Sequence, residues 1–316
     1  MLNRRHLRIK VLQMLYMFYN HKESMDVKTA QNKLLHSVDR MYDLYLYLFL
    51  TFQELRASSL AKMEDRANKI RPTFDELNPK KKFVDNQLMS KIMEAEPFQS
   101  LCKRRNVAWK TDEEQEIFRK LFIEIEKSEV YFEQMDNSES GFIQDRNFLI
   151  SLFRAEIANS PLIYSFFEEQ DIGWIDDIDL ACSMVIKTLK SMSENEAFEI
   201  LPLYKEDDDE KEFIKTLMKQ TISLDSESEK LIGTLADNWD IDRIAKMDVL
   251  LLKMAFAELQ SFENIPTKVT INEYLEISKY YSTPKSNVFI NGILDKSVKS
   301  LTKDKKIIKT GRGLKQ

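Results

Sequence analysis

Only 6 glycines and 7 prolines interrupt 316 residues. These are the residues that let a chain reverse direction between strands, so a many-stranded sheet has too few turns available to it. Helices need far fewer. Charged residues make up 31% of the chain, and Leu, Lys, Glu, Met and Ile sit well in helices. The chain is therefore expected to be all-α. Its length permits one large domain or two.

Chemistry is sparse. Cys102 and Cys182 are the two cysteines, too few for a disulfide framework and not in Cys-x-x-Cys spacing, and His6, His21 and His36 stand apart from any acid or nucleophile. Neither a P-loop, a Gly-x-Gly-x-x-Gly nor a His-Glu-x-x-His is present. The reading is a non-enzyme with no cofactor and no metal. The most apolar run, Val249 to Phe256, is broken by Lys253 and falls short of the ~18 residues of a membrane span. No leader follows the early basic cluster, so no membrane partner and a cytoplasmic location are expected.

A formal net charge of −5 hides an uneven distribution. Residues 1–22 carry Arg4, Arg5, Arg8, Lys10 and Lys22 and no acid, 206–210 reads EDDDE, and bases dominate from Lys296 onward. Exposed fields are screened over about 8–10 Å, so a mildly acidic protein can still hold a polyanion locally. EDDDE reads as a solvated linker, because consecutive carboxylates do not converge on one helix face.

A first helix is expected from Arg4 to Tyr19, with Leu7, Val11, Met14, Leu15 and Phe18 on its buried face and the three arginines off it. Residues 27–70 continue as helix in two segments, and MYDLYLYLFLTF at 41–52 suggests a stretch buried nearly all round. Breaks fall at Arg71–Pro72 and Asn78–Pro79. FLISLFRAEI at 148–157 is similar to FIKTLMKQTI at 213–222; each is followed at the same distance by a tryptophan, Trp174 or Trp239, and then by an apolar helix. Trp109, with Phe83 in register, continues the spacing upstream. Partial duplication is one reading; chance likeness between amphipathic helices is the other.

Met247 to Gln260 is apolar on most sides and hence central, and Thr270 to Tyr281 forms another helix. A last helix carries Phe289, Ile290, Ile293, Leu294, Val298 and Leu301 inward, with Gly292 inside it and expected to let a neighbouring helix approach. Beyond Thr302 the basic tail is expected to be disordered.

Two distant segments carry a resemblance. RRHLRIKVLQMLYMF at 4–18 resembles the opening helix of the NusB family. RIAKMDVLLLKMAFAEL, IPTKVTINEYLEISKYYSTPKS and FINGILDK, in that order, are similar to its last three helices. The resemblance implies a NusB-like helical bundle with an additional helical region. It divides the chain into a first helix at 1–22, an insertion at 23–205, a C-terminal bundle at 206–302 and the tail at 303–316. It also implies binding of boxA-like single-stranded RNA together with NusE, a ribosomal protein, and an indirect link to the RNA polymerase elongation complex. By the same resemblance Arg4, Arg5 and Arg8 carry RNA, Lys285 and Phe289 are weaker candidates, and Asp248 faces the protein partner. A scaffold of this fold that does not bind RNA is the alternative.

Overall fold

The computed structural model describes residues 2–21, 23–204, 207–236 and 244–314. Among them are fifteen α-helices and no strand: α1 (Arg4–Asn20), α2 (Val27–Ala67), α3 (Phe74–Leu77), α4 (Gln87–Glu94), α5 (Glu96–Arg105), α6 (Asp112–Ile125), α7 (Glu129–Asp136), α8 (Phe142–Leu152), α9 (Pro161–Gln170), α10 (Ile178–Ser191), α11 (Asp207–Ser223), α12 (Asp225–Leu235), α13 (Lys246–Ser261), α14 (Thr267–Tyr281) and α15 (Ser286–Lys303). No helix among the described residues is long and apolar enough to cross a membrane.

The chain divides into two compact units, one of Met1–Val38 with Tyr204–Gln316, the other Asp39–Leu203. The boundaries read from the resemblance lay at 22 and 205. Residues 27–70 are not two helices: α2 runs unbroken to Ala67, with no glycine or proline inside it, and its opening turns belong to the first unit. There Gln31 Nε2 donates to the Lys215 carbonyl of α11 at 3.3 Å.

In the discontinuous unit α13 is the centre. Leu250, Leu251, Leu252, Met254, Ala255, Phe256, Ala257 and Leu259 are all buried, and α1, α11, α12, α14 and α15 pack around them. A helix apolar on every side must be surrounded in this way. The acidic run is not all linker: its residues 207–210 open α11, while Glu206 lies outside the described residues.

Unit 39–203 is built on the aromatic stretch of α2. Phe49 contacts Tyr45, Phe52, Phe98 and Phe198, while Tyr47 meets Trp109, Phe166, Phe167 and Trp174. Trp109 and Trp174 each donate their indole N–H to a carbonyl of α2, Tyr47 O at 3.4 Å and Arg40 O at 3.0 Å, two turns apart on one face. A longer helix, a shorter one and an apolar one follow in that order in both α8–α10 and α11–α13. Trp239 lies outside the described residues, and upstream Phe83 precedes only the short α4 and α5, so the order is not kept there.

Two expectations for the C-terminal region are corrected. Gly292 is in α15, but on its exposed face; an added Cβ would meet nothing within 4 Å, so no neighbouring helix depends on it. The residues after α15 are not left without structure: to Leu314 they fold back on the end of α13, where Lys309 Nζ donates to Phe262 O at 2.9 Å and Thr310 N to Glu263 O at 3.0 Å. Charge composition alone missed this because much of the hold comes from backbone groups and a half-buried lysine.

Candidate nucleic-acid interface

The start of α1 is held by Asn3, whose side chain accepts the His6 N–H at 3.1 Å. No acid lies in the first turn, so Arg4, Arg5 and Arg8 stand at the positive end of a helix dipole, an unfavourable place for cations unless anions are nearby. The fold supplies them from α11, α13 and α14.

Arg8 is the surprise. Expected off the apolar face, it is 2% exposed and makes a bidentate pair with the fully buried Glu258 of α13, Nε to Oε2 and Nη2 to Oε1 both at 2.7 Å. Thr270 Oγ1 and Tyr274 Oη of α14 also donate to Glu258, at 2.9 and 3.1 Å, so this carboxylate is saturated. Burial by itself lowers the arginine's affinity for its proton, but the hydrogen-bonded Glu258 outweighs it and the net direction is up. Arg8 therefore anchors α1 to α13 and α14. The signal was present: Arg8 stands four and seven residues before Leu12 and Leu15, both fully buried, and Glu258 interrupts an otherwise apolar helix.

Arg4 and Arg5 remain partly open. Arg4 is 35% exposed, lies 5.1 Å over the Phe213 ring and is 3.5 Å from Asp209. Arg5 is 41% exposed and pairs with Glu273 through Nε at 2.9 Å and Nη2 at 2.8 Å. Burial would raise the Glu273 pKa, but the bond from Arg5 and the charges of Arg8 and Arg5 bring it below the usual carboxylate range. His6 is pulled below its ordinary value by burial and then by Arg5.

These arginines line a groove of about 600 Å³ whose other wall is the α13–α14 connection: Asn3, Arg4, Arg5 and Arg8 on one side, Asn264, Ile265, Pro266, Val269 and Glu273 on the other. Cationic forks on one wall and an apolar wall opposite suit a ligand with phosphates and flat bases. Ile265, Pro266 and Val269 belong to a string that carried the family resemblance, but no binding role was read for them; packing brings them opposite α1.

Lys285 and Phe289 do not line this groove. Lys285 is exposed at the N-cap of α15, and Phe289 is half-buried one turn on. Asp248, expected to face a partner, is 4% exposed and accepts a hydrogen bond from Ser282 Oγ, with Ser286 Oγ 2.9 Å from that hydroxyl. Its work is to tie the start of α13 to the α14–α15 corner. Beside it on α13, Lys246, Val249, Leu250 and Lys253 join Tyr16, Tyr19 and Asn20 of α1 around a second concavity of about 290 Å³. Lys253, buried there, is held by Asp225 at 2.5 Å and Glu229 at 2.7 Å.

The NusB family model matches residues 180–299, from within α10 to near the end of α15. The transcription antitermination protein NusB of Salinibacter ruber is 43% identical over 109 residues, covering 34% of this chain and 68% of that protein. Its counterpart in Natranaerobius thermophilus is 39% identical over 92 residues, 29% of this chain and 66% of the relative. That of Listeria monocytogenes is 35% identical over 88 residues, 28% and 69%. No solved structure matches the chain. The matched segment holds Glu258, Glu273 and the whole α13–α14 wall, and α1 with its arginines packs against it in the same unit. With all-α architecture, the family strings in order and the Salinibacter ruber relative, 43% identical, matched over 68% of its length, this chain belongs to the NusB family.

Proposed function

We propose that the chain is a transcription antitermination factor that binds boxA-like single-stranded RNA in the groove between α1 and the α13–α14 connection. The observation that carries this reading is the pair of partly exposed guanidiniums, Arg4 and Arg5, facing Ile265, Pro266 and Val269 across the groove. Guanidiniums grip phosphate bidentately and stack on bases, while the apolar wall shelters an unstacked base. Lys285 extends the phosphate contacts along α15, with Phe289 beside it as a weaker stacking candidate. Arg8 serves by fixing α1 instead of touching RNA. NusE, the partner implied by the resemblance, docks at the second concavity, where Tyr16 is 42% exposed and Val249 of α13 also lines the hollow. Through it the complex reaches RNA polymerase. The role is one of binding, not catalysis.

Fluorescence anisotropy with a boxA-like RNA over a salt series tests the reading. Two or three phosphates held on a single strand give a log–log slope of roughly −1.4 to −2.1. Arg4→Ala with Arg5→Ala should weaken binding and flatten the slope. A parent slope near zero would sink RNA binding altogether.

A protein-interaction scaffold without RNA affinity is the second reading. One observation favours it: unit 39–203 exposes Ile70 fully, Phe74 at 79%, Phe132 at 57% and Leu77 at 56%.

A further inference from the structure

The chain beyond α15 leaves the helix through Lys305, at φ +56°, and returns to the end of α13. Lys306 pairs with Glu227 of α12. Lys309 then sets its ammonium on the Phe262 carbonyl at 2.9 Å, at the negative end of the α13 dipole. Thr310 bonds Glu263 twice, N to the backbone O at 3.0 Å and Oγ1 to Oε2 at 3.3 Å. Gly311, at φ +51°, and the bond from Gly313 N to Thr310 O at 2.8 Å close a short 3₁₀ turn. There the backbone of Gly313 presses on Glu263: a Cβ would sit 1.9 Å from the Glu263 carbonyl oxygen. Only glycine fits.

The residues gripped in this way adjoin the groove. Asn264, Ile265 and Pro266, which follow directly, line the wall opposite the arginines. The Phe262 ring lies 5.0 Å from that of Phe213, the ring over which the Arg4 guanidinium is placed at 5.1 Å. The returning segment thus braces both walls, one through the backbone and one through two aromatic rings. Two of its lysines are already engaged by protein acceptors, which is not how an arm that gathers phosphate is arranged.

We propose that Lys309–Gly313 is a strap that positions the Asn264–Pro266 wall and Arg4 for RNA, and that its contribution to affinity is preorganisation, not charge. The strap lies beyond the 180–299 match. The proposal rests on the groove being the RNA interface.

The test uses the full chain and a boxA-like RNA. Gly313→Val keeps every charge and cannot dock. Lys309→Met is the milder form, removing one bond while keeping the stem. Lys303→Ser with Lys305→Ser removes two exposed charges and leaves the strap in place. The strap variants should weaken RNA binding about five- to tenfold with an unchanged salt slope, because preorganisation is lost while the phosphate contacts are kept. The double serine variant should bind within about twofold of the parent at moderate salt. Hydrogen exchange without RNA supplies the independent reading: the amides of Asn264 and Ile265 should exchange faster in Gly313→Val and in Lys309→Met. Unchanged exchange at those amides overturns the strap even where RNA binds. A flattened slope with lost affinity in the serine variant overturns it in favour of a phosphate-holding arm. A parent that does not bind RNA overturns the groove reading itself, and with it the strap's role.

Discussion

Unit 1–38 with 204–316 and unit 39–203 bury different chemistry. In the first, Arg8, Lys253, Glu258 and Asp248 are all within 4% of full burial, and each is held by charged or hydroxyl partners from another helix or the corner between helices. In the second, Phe49, Phe52, Phe83, Phe98, Phe122 and Trp174 fill the core, and each ion pair among the described residues leaves at least one side chain a fifth or more exposed. A buried ion pair needs one partner at one position. An aromatic core accepts many substitutions of similar volume. The difference explains why one unit carries legible family strings and the other reads only as helix.

The sharpest way to break this contrast is Arg8→Ala. It leaves Glu258 buried without its cation, and the loss expected is about 3–5 kcal/mol. Replacing both, Arg8→Met with Glu258→Leu, should regain part of it, since an apolar pair avoids the desolvation of two charges but leaves the buried Thr270 and Tyr274 hydroxyls without their acceptor. Urea unfolding followed by hydrogen exchange at α13 reads both. A parent-like Arg8→Ala would mean that the ion cluster does not hold α1.

For the aromatic unit the matching change is Trp174→Phe, which removes the bond to Arg40 O and the ring 4.6 Å beneath the Arg40 guanidinium. About 1–3 kcal/mol should be lost, from a smaller ring and an unpaired carbonyl contact. Exchange protection on α2 beyond Asp39 should fall while that of α13 is kept. A loss as large as that of Arg8→Ala would erase the distinction between the two cores.

Legibility followed the same line. Low glycine and proline counts were enough for the all-α class, and the 3.6-residue period marked α1, α13, α14 and α15 to within about three residues. What failed was the sidedness of polar residues. Arg8 and Asp248 read as surface groups because a charge inside an apolar helix is normally a solvated one; only the partners, Glu258 and Ser282, distant in sequence, make burial favourable. Gly292 failed the opposite way, read as a packing site though no neighbour lies near it. The groove was half legible: the arginines stood out as a site, while Ile265, Pro266 and Val269 read only as part of a family string until packing sets them opposite.

Gly292→Ala tests that correction. Nothing within 4 Å would meet the new methyl group, so the gain in helix propensity should appear in full. The expected effect is a stabilisation of about 0.5–1 kcal/mol. A destabilised variant would restore a close neighbour at α15 and place another demanding contact in this unit.

The smallest effect on stability belongs to Glu273→Gln, and it separates the two roles of charge inside the discontinuous unit. The Arg5–Glu273 pair is partly open to water, 41% and 20% exposed, so its removal should cost only about 0.2–1 kcal/mol at pH 7, against several for the buried Arg8 pair. The Glu273 pKa is lowered in the fold. Its contribution is therefore present above the unfolded value of about 4.3 and lost as the pH falls through the folded one, so parent and variant should converge in stability in acid. RNA affinity should move the other way. With the carboxylate gone, Arg5 has both edges of its guanidinium to offer and the groove loses a negative charge. Binding should tighten, and the salt slope should steepen by roughly 0.7 if one more phosphate is engaged. If the variant instead binds more weakly, Glu273 is aiming Arg5 at the ligand as Glu258 holds Arg8, and the partly open pair would belong with the buried ones as a positioning device.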